Sequence, residues 1–271
     1  MNKNRQILIK IMKENNLEIN DISKITDISK TSIRDFIREE TDRKYQSLGN
    51  IGYFKLDKLF KIYKYEISYD DVHKLYGKGI CDITGTNNGK QTKCYDAWKG
   101  MLRRCYSEGY QEKQPTYKEC KVCEEWELFS NFKKWFDDNY YVVGEDSDMQ
   151  LDKDILHKGN KLYSPENCIF TPKIINCIFT KTNVNRNDIC IGVRYNKNKL
   201  YKYRSQSSYY DFEKHKKKKI NLGNYNDKIE AFNSYKKFKE KYIKEVADRY
   251  KDKIPIELYE ALYNYKVEIT D

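Results

Sequence analysis

Nothing in the sequence approaches the run of ~20 apolar residues needed to cross a bilayer, which argues against a helical membrane span. The amino terminus, MNKNRQILIKIMKENN, is interrupted by charge too early for a secretory signal, so a cytoplasmic protein is expected. The 8 cysteines stand at scattered spacings with no second close pair, a pattern unlike a disulfide framework, and a reducing compartment would keep them as thiols. Histidine is scarce as well, at 3 in 271 residues, which leaves few side chains that titrate near neutrality.

What the chain has is positive charge, unevenly placed. Lys plus Arg outnumber Asp plus Glu by 52 to 41, and residues 181–224 hold 12 basic against 3 acidic side chains, or +9 of the total +11. A cationic patch that local suits a polyphosphate, because binding releases the counterions condensed on a nucleic-acid backbone. A solvated basic face is the alternative.

Residues 5–37 read as three short helices. Ile7, Leu8, Ile11 and Met12 form one apolar stripe, and Ile19, Ile22 and Ile25 a second. Ser29 is a plausible N-cap for a third helix carrying Ile33 and Ile37. GYFKLDKLFKIY, with Tyr53, Leu56, Leu59, Phe60 and Tyr63, looks like a further helix closing that domain. Residues 77–92, rich in Gly, Asn and Thr, favour turns and mark a boundary, and TKTNVNRND at 180–188 marks another. Three domains are therefore expected, at 1–76, 77–182 and 183–271.

The segment EINDISKITDISKTSIRDFI resembles the helix-turn-helix of phage and bacterial regulators. That likeness would put Lys30, Thr31, Ser32 and Arg34 on the exposed side of the second helix, toward base edges. Asp27 stands where the turn usually has glycine, and Asp tolerates a left-handed backbone better than most residues. A small helical bundle used for protein contact remains open.

YDAWKGMLRRCY, YKECKVCEEWELFSNFKKWF, LDKDILHKGNKLYSPENCIF and TPKIIN together resemble the phage HNH endonucleases, or His-Me finger nucleases, over roughly residues 92–180. The resemblance implies a ββα-metal core. Asp152 and Asn176 would fall on the two positions that ligate one Mg or Mn ion, which stabilises the scissile phosphate and the departing oxyanion. Asn167 would tie the loop together. The family's histidine, which takes a proton from the attacking water, falls on Lys153. An unperturbed lysine has a pKa of about 10.4, so it can clamp a phosphate but is a poor base unless burial lowers that value. Asp154 beside it favours the charged form, and His157 is a candidate displaced base. A charged hairpin unrelated to nucleases is the other reading. Cys120 and Cys123, with Cys105 and Cys168, offer a structural zinc alternative, against buried thiols packed on Trp126, Phe129, Phe132 and Trp135.

Downstream, ICIGVRY alternates, with Ile189, Ile191, Val193 and Tyr195 on one side and Arg194 on the other. YKYRSQSS sets Lys202, Arg204 and Gln206 opposite Tyr201 and Tyr203, and KKKKINLGNY sets Lys217, Lys219 and Asn221 opposite Ile220 and Leu222. KIEAFNSYKKFKEKYIKEVADRY then offers Phe232, Tyr235, Phe238, Tyr242 and Val246 at helical spacing to cover the apolar side. Gly192-Val193, LGNY and EAFNSY resemble the plant ethylene-response-factor (APETALA-type) DNA-binding domain. In that family the sheet enters the major groove; the matching positions here are Arg194, Lys202, Arg204 and Gln206, with Lys217 and Lys219 holding phosphates. Tyr203 replaces the usual Trp. RNA is the competing ligand, though its deep, narrow groove would not admit a sheet.

The expectation is thus an α+β protein: a helical helix-turn-helix domain, a ββα-metal-like core, and a three-stranded antiparallel sheet on a helix. Its partner would be double-stranded DNA in a bacterial host. A metal-dependent endonuclease, a non-enzymatic regulator, and an inhibitor of a host defence nuclease stay open as functions.

Overall fold

The computed structural model describes residues 2–38, 48–68, 70, 72–144, 148–179, 189–196 and 200–269. It is mixed helix and sheet and divides into two compact units, Met1–Asp138 with Lys161–Ser164, and Asn139–Asn160 with Pro165–Asp271. The expected boundary at 180–188 lies outside the described residues.

The first unit opens with helices α1 (Lys3–Glu14), α2 (Ile19–Thr26), α3 (Lys30–Ile37) and α4 (Gly49–Ile62). Leu8 and Ile11 of α1, Ile22 of α2, Ile33 and Phe36 of α3, and Tyr53, Leu56, Leu59 and Phe60 of α4 are almost wholly buried in one core. Two expected core positions differ. Ile25 is 38% exposed, and Phe36 is buried where Ile37 is only packed against the cluster. Within α2 the position four residues after Ile22 is Thr26, which is buried and turns Ile25 to the flank, and Ile28 past the Asp27 cap also joins the core.

Asp27 adopts the left-handed conformation, with φ 56° and ψ 32°. The strain of a non-glycine residue there is offset locally, since the Lys55 ammonium donates to the Asp27 carbonyl at 2.6 Å and to its carboxylate at 2.8 Å. That pairing holds the Asp27 carboxyl below its ordinary value. Ser29 caps α3, its hydroxyl accepting from the Ser32 amide at 3.1 Å.

Residues 74–91 form two small hairpins, β1 (Lys74–Leu75) with β2 (Gly79–Ile80) and β3 (Thr86–Asn87) with β4 (Lys90–Gln91). Asn88 and Gly89, both at positive φ, make the second turn. Helix α5 (Lys93–Tyr106) is followed by α6 (Glu108–Lys113), strand β5 (Lys121–Val122) and α7 (Phe129–Asn139). Trp98, Trp126, Phe129 and Phe132 are fully or almost fully buried, and the Trp98 indole donates to the Trp126 carbonyl at 2.7 Å. Of the expected aromatic core, Trp126, Phe129 and Phe132 are buried and Trp135 is half-buried.

In the second unit β6 (Met149–Asp152) pairs antiparallel with β8 (Ile169–Pro172), Asp152 lying opposite Ile169, and α8 (Lys173–Phe179) packs on both strands. The short strand β7 (Leu162–Tyr163) of the intervening chain belongs to the first unit, where it pairs in parallel with β5. A three-stranded antiparallel sheet follows in the order β11 (Lys216–Tyr225), β10 (Tyr203–Asp211), β9 (Val193–Tyr195). Helix α9 (Lys228–Tyr250) packs against all three strands, and α10 (Ile256–Tyr263) follows the Pro255 break. Two neighbouring cores share α9. Phe232 and Tyr235 pack with Val193 and Tyr203. Tyr242, Ile243 and Val246 pack with Ile175 of α8, Ile155 of the loop after β6, and Leu258 of α10. Each fully buried aliphatic in these clusters contributes roughly 1.5–3 kcal/mol.

Gly192 is fixed by that packing. It sits at φ 75°, and a Cβ there would lie 2.1 Å from the Tyr235 ring. Because the ring is itself buried by the sheet, Gly192→Ala is expected to cost about 3 kcal/mol or more, read as a lowered denaturation midpoint. A midpoint within a degree or two of wild type would show that α9 does not approach the sheet this closely.

Candidate functional site

Alternation along the three strands separates a helix-facing side from an outer side. Arg194 pairs across the ladder with Arg204, Val193 with Ser205, and Tyr195 with Tyr203. Val193, Tyr203, Ser205 and Ser207 are buried toward α9, whereas Arg194, Arg204, Lys217, Lys219 and Asn221 are exposed and Gln206 is half-buried. Lys202, just before β10, is exposed with its ammonium 5.5 Å from the centre of the Tyr203 ring. One carboxylate occurs in these strands, Asp211, and it lies on the helix-facing side paired with Lys218. That partner holds the Asp211 carboxyl down at about 2, with amide donors from Lys214 and Glu213 assisting. The outer side therefore carries no negative charge from its own strands.

Arg204 is oriented rather than loose. Its Nε points to the Asn224 side-chain oxygen at 3.4 Å and its Nη2 to that of Asn196 at 3.4 Å, while Asn196 also donates to Asn224 at 3.1 Å. A bulge between Ser205 and Gln206 leaves Leu222 unopposed and shifts the register, so that Asn221 faces Gln206. Tyr195 was expected inward. It shares the inner side with Tyr203 and stacks on it with centroids 5.6 Å apart, yet lies at the short edge strand and is 51% exposed. Alternation begins only at Val193, because Gly192 turns the chain; Cys190 is buried where Ile189 and Ile191 are merely packed against the core. The carboxyl-terminal tail runs along α9, where Val267 accepts from Lys236 and donates to Glu240, so it leaves the outer side of the sheet open.

On α3, Lys30, Thr31, Ser32 and Arg34 are all exposed. The Ser32 hydroxyl is 2.7 Å from that of Ser29 and belongs to the cap, which leaves Lys30, Thr31 and Arg34 as the outward groups.

The ribbon of β6 and β8 gathers the other candidates. Asp152 ends β6, and its Oδ1 accepts from the amides of Asp154 at 2.9 Å and Ile155 at 2.8 Å. Burial pushes the Asp152 carboxyl up to about 6, with repulsion from Asp154 adding to it and the two amide donors opposing. Lys153 is 7% exposed. Its ammonium donates to the Asp154 carboxylate at 2.9 Å and to the Asn160 carbonyl at 3.0 Å, and Asn160 returns a bond from its amide to the Lys153 carbonyl at 2.7 Å. Ile155, two residues on, anchors the loop in the core with α9. Lys153 is thus largely buried, and its bonds to Asp154 and Asn160 close the loop. His157 is exposed on that loop, Asn167 is half-buried just ahead of β8, and Asn176 is half-buried on α8, the helix that packs on β6. The short-range link between Lys153 and Asn160 was not legible beforehand; an Asn seven residues after a buried Lys carries no periodic signal.

The Asp152 carboxylate, half-buried and accepting from two amides, has hard oxygens of the kind Mg or Mn takes, and the amide oxygen of Asn176 is of the same type. Waters would supply the remaining coordination positions. No group of three or more His, Cys, Asp or Glu side chains suited to a metal occurs among the described residues. Cys105 and Cys120 are buried and Cys123 is half-buried in the first unit; Cys168 is buried in the second. None of the four is in a disulfide among the described residues. No described helix is long and apolar enough to cross a membrane.

Two tests follow from the loop. The Asp152 carboxyl lies above the unfolded-chain value of about 3.9, so the folded state holds the proton more tightly and stability falls as pH rises from about 4 to beyond 6. Asp152→Asn keeps the acceptor oxygen and should flatten the decline in melting temperature between pH 5 and pH 7.5. An unchanged decline would assign it elsewhere. Lys153→Met removes both bonds of the ammonium while keeping most of the stem, so it should lose about 1–3 kcal/mol, and Lys153→Ala should lose more as a cavity is added. Wild-type stability in Lys153→Met would show that the stem, not the ammonium, holds the loop.

Comparison with protein-family models, with curated proteins and with solved structures gave no match, so a functional assignment stands on this geometry and on the sequence patterns alone.

Proposed function

We propose that this protein binds double-stranded DNA through the outer side of its three-stranded sheet. The observation that carries the reading is the pairing of exposed Arg194 with exposed Arg204 across the ladder, on a surface whose own strands contribute no carboxylate. A ribbon presenting paired guanidinium groups suits the width of the DNA major groove, where Arg grips guanine through two hydrogen bonds. Gln206 sits on the same strand as a further base reader, and Lys202, Lys217 and Lys219 serve the phosphates. Likeness to the ethylene-response-factor type of domain supports this use, since Gly192, Gly223 of LGNY, and Phe232 and Tyr235 of EAFNSY all occupy packing positions. The helix-turn-helix reading of α2 and α3 supplies a second contact, through Lys30, Thr31 and Arg34.

For the ribbon of β6, β8 and α8 we favour a folding and positioning role, that of an HNH-like element in a DNA-binding regulator. The inward commitment of Lys153 supports it. Metal-assisted nicking is the second reading, and its support is the half-buried Asp152 carboxylate at the end of a strand against which packs α8, the helix that carries Asn176. In that case His157, exposed on the same loop, would be the proton acceptor. An inhibitor of a host defence nuclease would use the same frame with a protein partner.

Arg194→Ala combined with Arg204→Ala should weaken binding to a preferred duplex roughly tenfold or more at moderate salt and relax its sequence preference, whereas Lys217→Ala combined with Lys219→Ala should flatten the salt dependence by about two phosphate contacts. Affinity and slope within error of wild type in both double variants would remove the sheet from the interface. Supercoiled plasmid incubated with Mg or Mn should stay intact if the ribbon is structural. Nicking that disappears in both Asp152→Ala and Asn176→Ala would instead establish the enzyme.

A further inference from the structure

Arg104, in the last turn of α5, has an environment that none of the roles above uses. Its Nε donates to the Tyr163 hydroxyl at 2.9 Å, and its guanidinium carbon lies 5.4 Å from the centre of the same ring. The ionisable groups around it are phenols, those of Tyr163, Tyr117 and Tyr110. Among the described residues no carboxylate forms an ion pair or hydrogen bond with it. The side chain is half-buried, but its two Nη groups are not among the sealed, unpartnered polar atoms, which are Arg5 Nε, Trp126 Nε1 and Ser205 Oγ. The guanidinium thus sits in a tyrosine-lined recess, and its fork keeps some contact with solvent.

A cation drawn out of water in this way costs free energy that a phenol does not return in full. The carbonyl end of α5 offsets part of it, since a positive charge is favoured at a helix C-terminus. Protein chains commonly complete the balance with an acid one helical turn back. Here that position is Gly100, and a Cβ on it would lie 3.7 Å from Arg104 Nη1. The place for an internal carboxylate is open space beside the guanidinium. The recess also presents the Tyr110 hydroxyl, which makes no hydrogen bond among the described residues; its ring packs 5.9 Å from Tyr117 and carries the Arg103 guanidinium at 5.0 Å. Gln111 ties the floor together, donating to the carbonyls of Arg104, Cys105 and Tyr117.

We infer that Arg104, with Tyr110 and Arg103 at the mouth, forms a binding site for a phosphate group. A tetrahedral oxyanion accepts two N–H bonds from a guanidinium fork and a third from a hydroxyl, and it supplies the counter-charge that the fold omits. The group is a backbone phosphate of nucleic acid or a free phosphate. This site does not depend on the sheet, which belongs to the other unit.

The test uses the full chain and inorganic phosphate as the probe. At matched ionic strength and pH, the melting temperature should be higher in phosphate than in chloride, and the phosphorus resonance should broaden on adding protein. Arg104→Met should abolish both effects and Arg104→Lys should retain part of them. Gly100→Glu supplies the missing carboxylate while leaving Arg104 in place, so it should melt at or above wild type in chloride and lose the phosphate response. A wild-type protein without that response, or a Gly100→Glu variant that keeps it, overturns the site. Duplex titrations of Arg104→Met then identify the source: a salt slope lower by about one assigns a backbone phosphate, and an unchanged slope assigns a free one. The Arg194→Ala, Arg204→Ala protein should keep the phosphate response whether or not it binds DNA, which separates the two readings.

Discussion

The fold of the second unit depends on one helix being buried along two stretches of its length. Phe232 and Tyr235 near the start of α9 close the inner side of the sheet, and Tyr242, Ile243 and Val246 further on close the core under α8 and α10. With the inner side of a three-stranded sheet satisfied in this way, strand alternation puts Arg194, Arg204, Lys217 and Lys219 on the outer side, while the inner-side charges Asp211 and Lys218 pair with each other. The basic surface is therefore a consequence of apolar packing, and it is as rigid as the helix beneath it. Gly192 and Gly223 are the local concessions that permit so close an approach and the bulge opposite it.

The same helix accounts for the character of the ribbon loop. Ile155 is drawn into the α9 core, and the chain between it and Asp152 has only two residues in which to turn. Asp152 holds that turn through two amides, and Lys153 swings inward to Asp154 and Asn160. A buried ammonium bonded to an acid and a carbonyl gives Lys153 a structural part in closing the loop. Burial leaves the Asp152 carboxyl favouring the proton, with repulsion from Asp154 adding to the effect.

Much of this was legible because it rests on periodicity. The two-residue period placed Arg194, Arg204, Lys217 and Lys219 outward, and the helical period placed Phe232, Tyr235, Tyr242 and Val246 inward, as found. Turn chemistry was legible too: Asp27 stands in the left-handed conformation that its position in the motif demanded. Readings near element ends were less secure. Ile25 follows the stripe of α2 but is turned to the flank by buried Thr26, and Tyr195 alternates correctly but sits at an edge that nothing covers. Features made by residues far apart in sequence left no signal. The Tyr163 hydroxyl on Arg104, the Lys55 ammonium on Asp27, and the stacking of Tyr235 under Gly192 all arise only once the chain has folded.

The central claim is that the outer side of the sheet meets a polyanionic duplex. Backbone and side-chain chemical shifts followed during titration with duplex DNA address it most directly. The account predicts perturbations concentrated at Arg194, Lys202, Arg204, Gln206, Lys217 and Lys219, with Ser205, Ser207 and the buried face of α9 little changed. Perturbations that spare those six residues, or a spectrum unaltered by saturating duplex, would contradict it.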